Sequence, residues 1–270
     1  MTSATGKGGC RVASIWLEGQ NIYMNWIMVD MTELDDTQEV WLSGSRAEHI
    51  RSVLRLGVGD QIRMTCVNGP RGMGTIREWQ EDGVRVACVW GEVPSRPTLH
   101  LLLAMPRPKV LRRLWAQIAA LGVNHIHLLG ADRVERCYFD SHIVQPDMYT
   151  PLLREGLAQS GGSWMPNVKV YPRFDSFFKE VLPTVYSDHL KWVADPGEKA
   201  TFMDQLSGNH KEKEWLLAVG PEGGWSTSEL ELFTAHGFLS VGLGSRILRS
   251  DTATISLLGM ARSLVDSIRL

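Results

Sequence analysis

The sequence predicts an α/β protein in which a small β-barrel precedes a larger domain with a mostly parallel sheet. Three observations lead to this prediction. From Asn25 to about Pro97, short β-rich runs recur at close intervals. The segment Gly91 to Thr98 contains two prolines and is typical of a linker. Beyond it, apolar strands alternate with helical segments, as in α/β folds. The predicted divisions are a tail over 1–22, a barrel over 23–93 and an α/β domain over 98–270.

The composition is that of a globular protein without a strong overall charge. Hydrophobic residues make up 44% of the 270 residues and charged residues 21%, whereas disorder needs fewer apolar residues and more net charge. The formal net charge of -2 gives no general attraction to nucleic acid. An RNA-binding surface would therefore have to be a local patch, or one shared by two subunits. No apolar run approaches the ~18 residues of a membrane span.

The N-terminal segment, Met1 to about Gln20, is rich in Gly, Ser and Thr and has no acidic residue before Glu18. We interpret it as a poorly ordered tail. An organellar transit peptide is the alternative, but the segment lacks a strong arginine periodicity.

Four widely spaced cysteines, Cys10, Cys66, Cys88 and Cys137, form no Cys-x-x-Cys pair. This spacing disfavours a disulfide framework or a zinc site and favours buried free thiols in a reducing compartment. We therefore expect a cytoplasmic protein without a metal.

The barrel is predicted from four β-rich runs and one helix. The runs are NWIMVD, EVWLSG, DQIRMTCV and VRVACVWGEV, separated by Gly, Asp, Asn and Pro. Between the second and third runs, SRAEHIRSVLRL predicts a helix with Ser45 as its N-cap and Ile50, Val53 and Leu54 on one face. The runs are too closely spaced for βαβ units, so a small barrel with one helix follows.

The second half opens with LHLLLAM, a continuous apolar run typical of a strand covered on both faces. A helix over PKVLRRLWAQIAALG follows and should stop at Gly122. Further helices are expected around 151–159 and 174–182. The remaining predicted strands are NHIHLLG, VKVY, LKWVAD, EWLLAVG and FLSVGLG.

The first functional signal is the turn in AVGPEGGWSTSEL. Gly220 ends a strand, Gly223 and Gly224 permit positive φ and close backbone approach, and Ser226 with Glu229 forms a capping box. The amides of such a turn suit a carboxylate, a phosphate or a polar ligand edge. A well-capped strand-to-helix connection without a ligand explains this motif equally well. The turn is neither a Walker loop nor a GxGxxG fingerprint.

The second signal is VGLGSRILRSDTATISLLGMA, where Arg246 and Arg249 flank an apolar Ile-Leu pair in a glycine loop. We expect a strand to end at Leu243 and either Ser250 or Asp251 to cap the last helix. One arginine could contact phosphate while the apolar pair contacts a flat ring. Alternatively, the arginines are surface residues and the apolar pair is core.

A third turn, VADPGEK, has the same form, and all three follow strands. In a parallel sheet they lie at the carboxyl ends of the strands, where ligands collect.

The two glycine-turn sequences, in this order and spacing, resemble the paired signature of the ribosomal small-subunit (16S) RNA uracil-N3 methyltransferases of the SPOUT superfamily. SGSRAEHIRSVLRLGVGDQI and LLLAMPRPKVLRRLWAQIAALGV extend the resemblance to about Asn25. The run usually written Arg-Thr-Glu-Thr-Ala is Arg-Ser-Asp-Thr-Ala here.

The resemblance implies a PUA-like barrel, a catalytic domain tied in a deep trefoil knot, a homodimer, and S-adenosylmethionine in the knotted cleft. Such a knot would be a rare exception to the rule that chains do not thread loops. The implied cofactor-binding residues are Asp195, Pro196, Gly197, Val219, Gly220, Pro221, Glu222, Gly223, Gly224, Leu243, Gly244, Ser245, Arg246, Ile247, Leu248, Thr252 and Ala253.

Methylation of uracil N3 requires the loss of a proton, so a cation or a carboxylate is needed beside the ring. Arg249 and Arg246 are the candidate cations, and Asp251 or Glu222 the candidate carboxylates. Glu222 could instead be a turn residue, and Asp251 a helix cap.

RNA binding is expected from two basic clusters, although each could also be an ordinary solvated helix face. Their members are Arg46, His49, Arg51 and Arg55 in the barrel helix, and Arg107, Lys109, Arg112 and Arg113 after the linker.

Three functions remain open from the sequence. The first is a methyltransferase that uses S-adenosylmethionine on small-subunit ribosomal RNA or on another RNA. The second is a nucleotide- or dinucleotide-binding α/β enzyme, which the missing fingerprints disfavour. The third is a catalytically silent RNA-binding or ribosome-assembly protein.

Overall fold

The computed structural model describes residues 26–204 and 214–269, with side chains up to residue 267. The predicted tail over 1–22 and Cys10 lie outside the described residues.

The first sheet is a curled half-barrel of five strands in the order β1-β3-β4-β5-β2. Only the β1–β3 pair is parallel, and the other neighbours are antiparallel. The strands are β1 (Ile27–Val29), β2 (Glu39–Ser43), β3 (Gln61–Cys66), β4 (Arg71–Trp79) and β5 (Gly83–Trp90).

Strand β4 is the one that the sequence analysis missed, because its first residues are glycine-rich and its later ones charged. Gly74 faces the half-barrel core, where a Cβ would lie 2.5 Å from Val86 Cγ1 and 2.9 Å from Met64 Cγ. The glycine therefore serves close packing rather than a turn.

The helix between β2 and β3 begins as α1 (Gly44–Glu48) and continues as a π-helical segment, His49–Leu54. Ile50 and Leu54 are buried as predicted. Val53 is 61% exposed, so its predicted place on the buried face is wrong. The wider π-helical turn changes the angle between successive side chains and moves this residue toward solvent.

The second sheet contains six parallel strands in the order β11-β9-β10-β6-β7-β8. Its strands are β6 (Leu99–Ala104), β7 (Val123–Leu129), β8 (Asn167–Tyr171), β9 (Leu190–Ala194), β10 (Trp215–Val219) and β11 (Leu239–Val241). The helices are α2 (Pro108–Ala120), α3 (Pro146–Ser160), α4 (Phe174–Ser176), α5 (Leu182–Val185), α6 (Thr227–Ala235) and α7 (Ser250–Arg269).

Both faces of the second sheet are covered, which explains the continuous apolar runs of its central strands. Leu101 and Leu103 pack with α2, α3 and α7 in one core, whereas Leu102 and Ala104 pack in an aromatic core on the other face. Helices α2 and α3 approach closely at Gly156, where a Cβ would overlap the Ala116 carbonyl oxygen.

Several predicted boundaries are wrong by a few residues. Helix α3 begins at Pro146 rather than near Pro151, which lies inside it and removes one backbone donor. Strand β11 ends at Val241 rather than Leu243. Ser250 is already the first residue of α7.

The two sheets are connected through α3. Arg154 donates two hydrogen bonds to the Asp30 carboxylate, at 2.9 and 3.2 Å. The Trp26 amide donates to the Ala158 carbonyl oxygen at 2.9 Å. The half-barrel is thus fixed to the second half of α3.

Of the three cysteines described, Cys66 and Cys88 are buried free thiols, as predicted. Burial raises the pKa of Cys88 to about 11, so this thiol is neutral at pH 7. Cys137 is exposed, which contradicts its predicted burial. It lies in a 3-10 turn, Arg136–Asp140, and belongs to none of the three apolar cores. No helix in the described part of the chain is both long and apolar enough to cross a bilayer.

Candidate functional site

The carboxyl ends of β9, β10 and β11 meet at one edge of the parallel sheet and surround a cavity. Its volume is about 270 Å³. The residues that line it come from the three turns singled out in the sequence and from the start of α7. They are Ala194, Asp195, Pro196, Val219, Gly220, Pro221, Glu222, Gly223, Gly224, Trp225, Leu243, Arg246, Ile247, Leu248, Ser250 and Ala253.

Most of the residues predicted for this site line the cavity. The predicted residues that do not line it are Gly197, Gly244, Ser245 and Thr252. Ala194, Trp225 and Ser250 line it without having been predicted. Each of these three is adjacent in the sequence to a predicted residue. The sequence therefore indicated the segments that line the cavity, but not which of their side chains face it.

The β10 turn forms one wall of the cavity and is held by a hydrogen bond and by packing. Gly224 adopts a φ of 73°, and its amide donates to the Pro221 carbonyl oxygen at 2.8 Å. The Trp225 indole lies directly behind the turn, 3.1 Å from where a Cβ at Gly220 would be. A larger residue than glycine at position 220 would press against this ring.

The turn is fastened to the loop after β7 through Glu229, which is buried. Its carboxylate accepts from the Ser226 amide at 2.7 Å and from the Asp132 amide at 2.8 Å. Ser226 in turn donates its hydroxyl to Asp132 Oδ2 at 2.6 Å, and accepts from the Glu229 amide. The predicted capping box is confirmed, and it has a second function as a link between two loops.

Arg133 is a further residue of this edge that the sequence analysis missed. Its guanidinium donates to the Gly223 carbonyl oxygen and lies across the glycine turn. It follows β7, so the rule that loops at carboxyl strand ends gather around one site could have identified it.

The β9 turn is held by its own aspartate. Asp195 Oδ1 accepts from the Gly197 amide at 3.0 Å, and the Asp195 amide donates to the Val241 carbonyl oxygen at 3.0 Å. The aspartate therefore shapes the loop and joins β9 to β11.

The loop after β11 contains the longest run of backbone donors without a partner among the three described turns. From Leu243 to Leu248, no backbone amide has a hydrogen-bond partner among the described residues. Ile247 lines the cavity and is 86% exposed. The loop thus offers amide donors and an apolar side chain to the same space.

The predicted catalytic residues divide into two groups. Arg246 and Glu222 line the cavity, whereas Arg249 and Asp251 do not. Asp251 is bonded to Arg113 at 3.0 Å and to Arg249 at 3.7 Å. Asp251 is therefore engaged in two ion pairs outside the cavity.

Two members of the barrel-helix cluster, Arg46 and Arg51, are engaged in contacts within the protein. Arg46 pairs with Glu33 at 2.6 Å and lowers the pKa of that carboxyl. Arg51 lies over the Trp79 ring at 4.7 Å and donates to the Gln80 carbonyl oxygen. His49 Nε2 is buried without a partner among the described residues. Arg55 ends the helix in the left-handed region, with a φ of 55°.

The second basic cluster lies at the start of α2, on the same edge as the cavity. Arg107, Lys109, Arg112 and Arg113 are exposed. Arg113 is held by Asp251, and the Arg107 amide donates to Glu222 Oε1 at 3.4 Å. The side chains of Lys109 and Arg112 make no ion pair with any described residue.

Comparison with known proteins agrees with this architecture. A family model described as an RNA methyltransferase domain matches residues 94–262. The ribosomal RNA small subunit methyltransferase E of Treponema pallidum is 35% identical over 214 residues, covering 77% of this chain and 79% of the relative. The protein of the same name from Bacillus subtilis is 24% identical over 243 residues, covering 85% of this chain and 92% of the relative.

A solved structure has the same fold. It is a ribosomal RNA small subunit methyltransferase E from Neisseria gonorrhoeae bound to S-adenosyl methionine. The TM-score is 0.69 at 20% identity, and the match covers 88% of this chain and 98% of that one.

We predict that the two hydrogen bonds accepted by Glu229 contribute to the stability of the folded chain. Glu229→Ala removes the acceptor of two backbone amides, and we expect the free energy of unfolding to fall by about 2 kcal/mol or more. Urea unfolding measures the change. Glu231→Ala, an exposed position on the same helix, should change it by less than about 0.5 kcal/mol. Equal effects of the two substitutions would contradict the proposed link.

Proposed function

The chain belongs to the family that shares the RNA methyltransferase domain, and we propose that it methylates N3 of a uracil in small-subunit ribosomal RNA, with S-adenosylmethionine as the methyl donor. The name of the Treponema pallidum relative supports the RNA substrate. The atom N3 is supported by the resemblance of the two glycine-turn sequences. Membership of this family argues against a dinucleotide-dependent enzyme.

The observation that carries the proposal is the pairing of free amides with an apolar wall in one cavity. The amides of the loop residues that line the cavity, Leu243 and 246–248, can donate to ring nitrogens or a carboxylate. The side chains of Leu243, Ile247 and Leu248 can contact a flat ring. These residues suit a cofactor that has an adenine at one end and an amino acid at the other. When bound, S-adenosylmethionine supplies a methyl group on a positively charged sulfur.

We assign the chemistry to Arg246 and Glu222, because Asp195, the third charged residue that lines the cavity, accepts a hydrogen bond within its own turn. The Arg246 guanidinium would stabilise the uracil anion formed when N3 loses its proton. The Glu222 carboxylate would accept that proton. Arg249 then has an indirect role, because together with Arg113 it holds Asp251 at the start of α7.

RNA would enter across the start of α2. Lys109 and Arg112 are exposed there, as is Arg107, and none of these three side chains makes an ion pair with a described residue, so their charges are available to phosphates. The homodimer and the trefoil knot implied by the resemblance stay predictions. An apolar side chain as exposed as Ile247 is consistent with a surface that a cofactor or a second subunit covers.

We predict that the full chain transfers a labelled methyl group to small-subunit particles. Nuclease digestion followed by mass spectrometry should then identify 3-methyluridine as the product. A different methylated nucleoside would contradict the N3 assignment and leave RNA methylation intact. No incorporation into particles or into protein-free RNA would favour the silent RNA-binding protein.

We predict that Ile247→Asp weakens the binding of S-adenosylhomocysteine about 10-fold or more, because one apolar side chain loses its contact with the ligand. Isothermal titration calorimetry measures the affinity. Val89→Asp also replaces an exposed β-branched apolar side chain by a carboxylate, at a position of the half-barrel that is 74% exposed. It should leave the affinity unchanged. Normal affinity in Ile247→Asp would refute its place in the cofactor site. Size-exclusion chromatography of the same variant tests whether the side chain also joins two subunits.

We predict that the double variant Lys109→Glu, Arg112→Glu binds RNA more weakly. The slope of log affinity against log salt concentration should become less steep by about one for each lost phosphate contact. Affinity for S-adenosylhomocysteine should not change. The control is the double variant Arg173→Glu, Lys179→Glu. It changes the net charge by the same amount at two residues that both pair with Asp175. Equal RNA affinities of the two double variants would remove the α2 cluster from the RNA-binding surface.

A further inference from the structure

A group of two histidines and one glutamate lies at the edge of the parallel sheet opposite the cavity. His100 is the second residue of β6, His189 directly precedes β9, and Glu214 directly precedes β10. These three strands are neighbours in the order β9-β10-β6. Because they run parallel, their amino ends bring the three side chains together, with Glu214 in the middle.

The two imidazoles converge on one carboxylate oxygen. His100 Nε2 lies 2.7 Å from Glu214 Oε2, and His189 Nε2 lies 3.1 Å from the same atom. All three potential ligand atoms lie within 4.8 Å of one another. The His100 side chain is 4% exposed and that of His189 14%, whereas Glu214 is 44% exposed. The group thus has a buried side and a side open to solvent.

A second layer of hydrogen bonds fixes the orientation of His100. Its Nδ1 lies 3.4 Å from the Tyr186 hydroxyl, which lies 2.6 Å from His127 Nε2. His127 and Tyr186 are buried in the aromatic core. With one nitrogen held from behind, the other nitrogen of His100 is directed toward Glu214. Metal-binding histidines are oriented in this way.

We propose that His100, His189 and Glu214 form a binding site for a divalent transition metal of the Zn²⁺ class. The ligands would be the two Nε2 atoms and the Glu214 carboxylate, with water in the fourth position. Two imidazoles and a carboxylate suit Zn²⁺, whereas Mg²⁺ and Ca²⁺ prefer oxygen ligands alone.

The separations between Glu214 and the two histidines require only a small adjustment. Bonds of about 2.0–2.2 Å in a tetrahedral site place ligand atoms about 3.3–3.5 Å apart. The two separations from Glu214 Oε2, 2.7 and 3.1 Å, are shorter by roughly 0.5 Å. Glu214 is the most exposed of the three side chains, so it can move outward by that amount.

The site would act on stability and not on methyl transfer. It joins the amino ends of three neighbouring strands, at the edge away from the cavity. Such a metal cross-links segments far apart in the sequence, since His100 and Glu214 are 114 residues apart. A metal that binds the folded chain and not the unfolded chain raises the melting temperature.

The test uses the full chain after treatment with a chelator, titrated with Co²⁺ and then Zn²⁺. We expect one equivalent of Co²⁺ to give the visible absorption of a four-coordinate ion, Zn²⁺ to displace it, and the melting temperature to rise. Glu214→Gln and His189→Ala should each weaken the affinity at least 10-fold. Glu214→Gln keeps a hydrogen-bond acceptor for both imidazoles, and circular dichroism checks that the variant is folded.

His142→Ala is the matched control, because this histidine is exposed in a 3-10 turn away from the group. It should leave the affinity for Co²⁺ unchanged. Tyr186→Phe should weaken the metal affinity by about 10-fold, since His100 loses its anchor. The proposal is overturned if the chain binds no Co²⁺ or Zn²⁺ at micromolar concentration. It is also overturned if Glu214→Gln and His189→Ala bind the metal as tightly as the unaltered chain. In either case the three residues form a hydrogen-bonded cluster without a metal.

Discussion

Alternate side chains of β6 and β10 pack into two separate apolar cores, one on each face of the parallel sheet, and this double burial decides where polar chemistry can occur. A strand covered on both faces has no room for an unpaired charge along its length. Polar groups therefore gather where the strands begin and where they end. The carboxyl edge holds the cavity with its free amides, and the amino edge holds the histidine and glutamate group.

The three loops around the cavity depend on this packing in different ways. The β10 turn rests on Trp225, which belongs to the aromatic core, and is tied to the β7 loop through Glu229. The β9 turn is closed by Asp195. The loop after β11 has few internal hydrogen bonds, so its donors remain available to a ligand. The cavity thus has two walls held by internal hydrogen bonds and one wall whose backbone donors lie beside an apolar surface.

Periodicity and turn chemistry predicted most of the fold, since they depend on near neighbours in the sequence. The apolar runs of β6 and β10, the Ser226–Glu229 cap and the three strand-end turns were all visible in that way. Strand β4 was missed because Gly74 is selected by a tertiary contact across the half-barrel, not by a local preference. Val53 was placed on the wrong face because a π-helical turn changes the angular spacing that the prediction assumed.

The site was predictable as a set of loops but not as a set of side-chain partners. Nothing within ten residues of Asp251 indicates that Arg113, 138 residues away, neutralises it. The group of His100, His189 and Glu214 was not predicted for the same reason. Its three members lie at the amino ends of three strands and form no motif in the sequence. Only the order of the strands in the sheet brings them together.

The attachment of the half-barrel to α3 sets how far the half-barrel lies from the cavity. Asp30 binds Arg154, eight residues after the first residue of α3, which corresponds to about 12 Å along the helix axis. Helix α3 follows β7 and leads back to the start of β8, so the half-barrel lies displaced from the cavity toward the amino edge. The basic residues at the start of α2 lie on the cavity side. A polynucleotide that contacts both surfaces must therefore have a footprint several nucleotides long, and an isolated nucleotide can occupy only one of them.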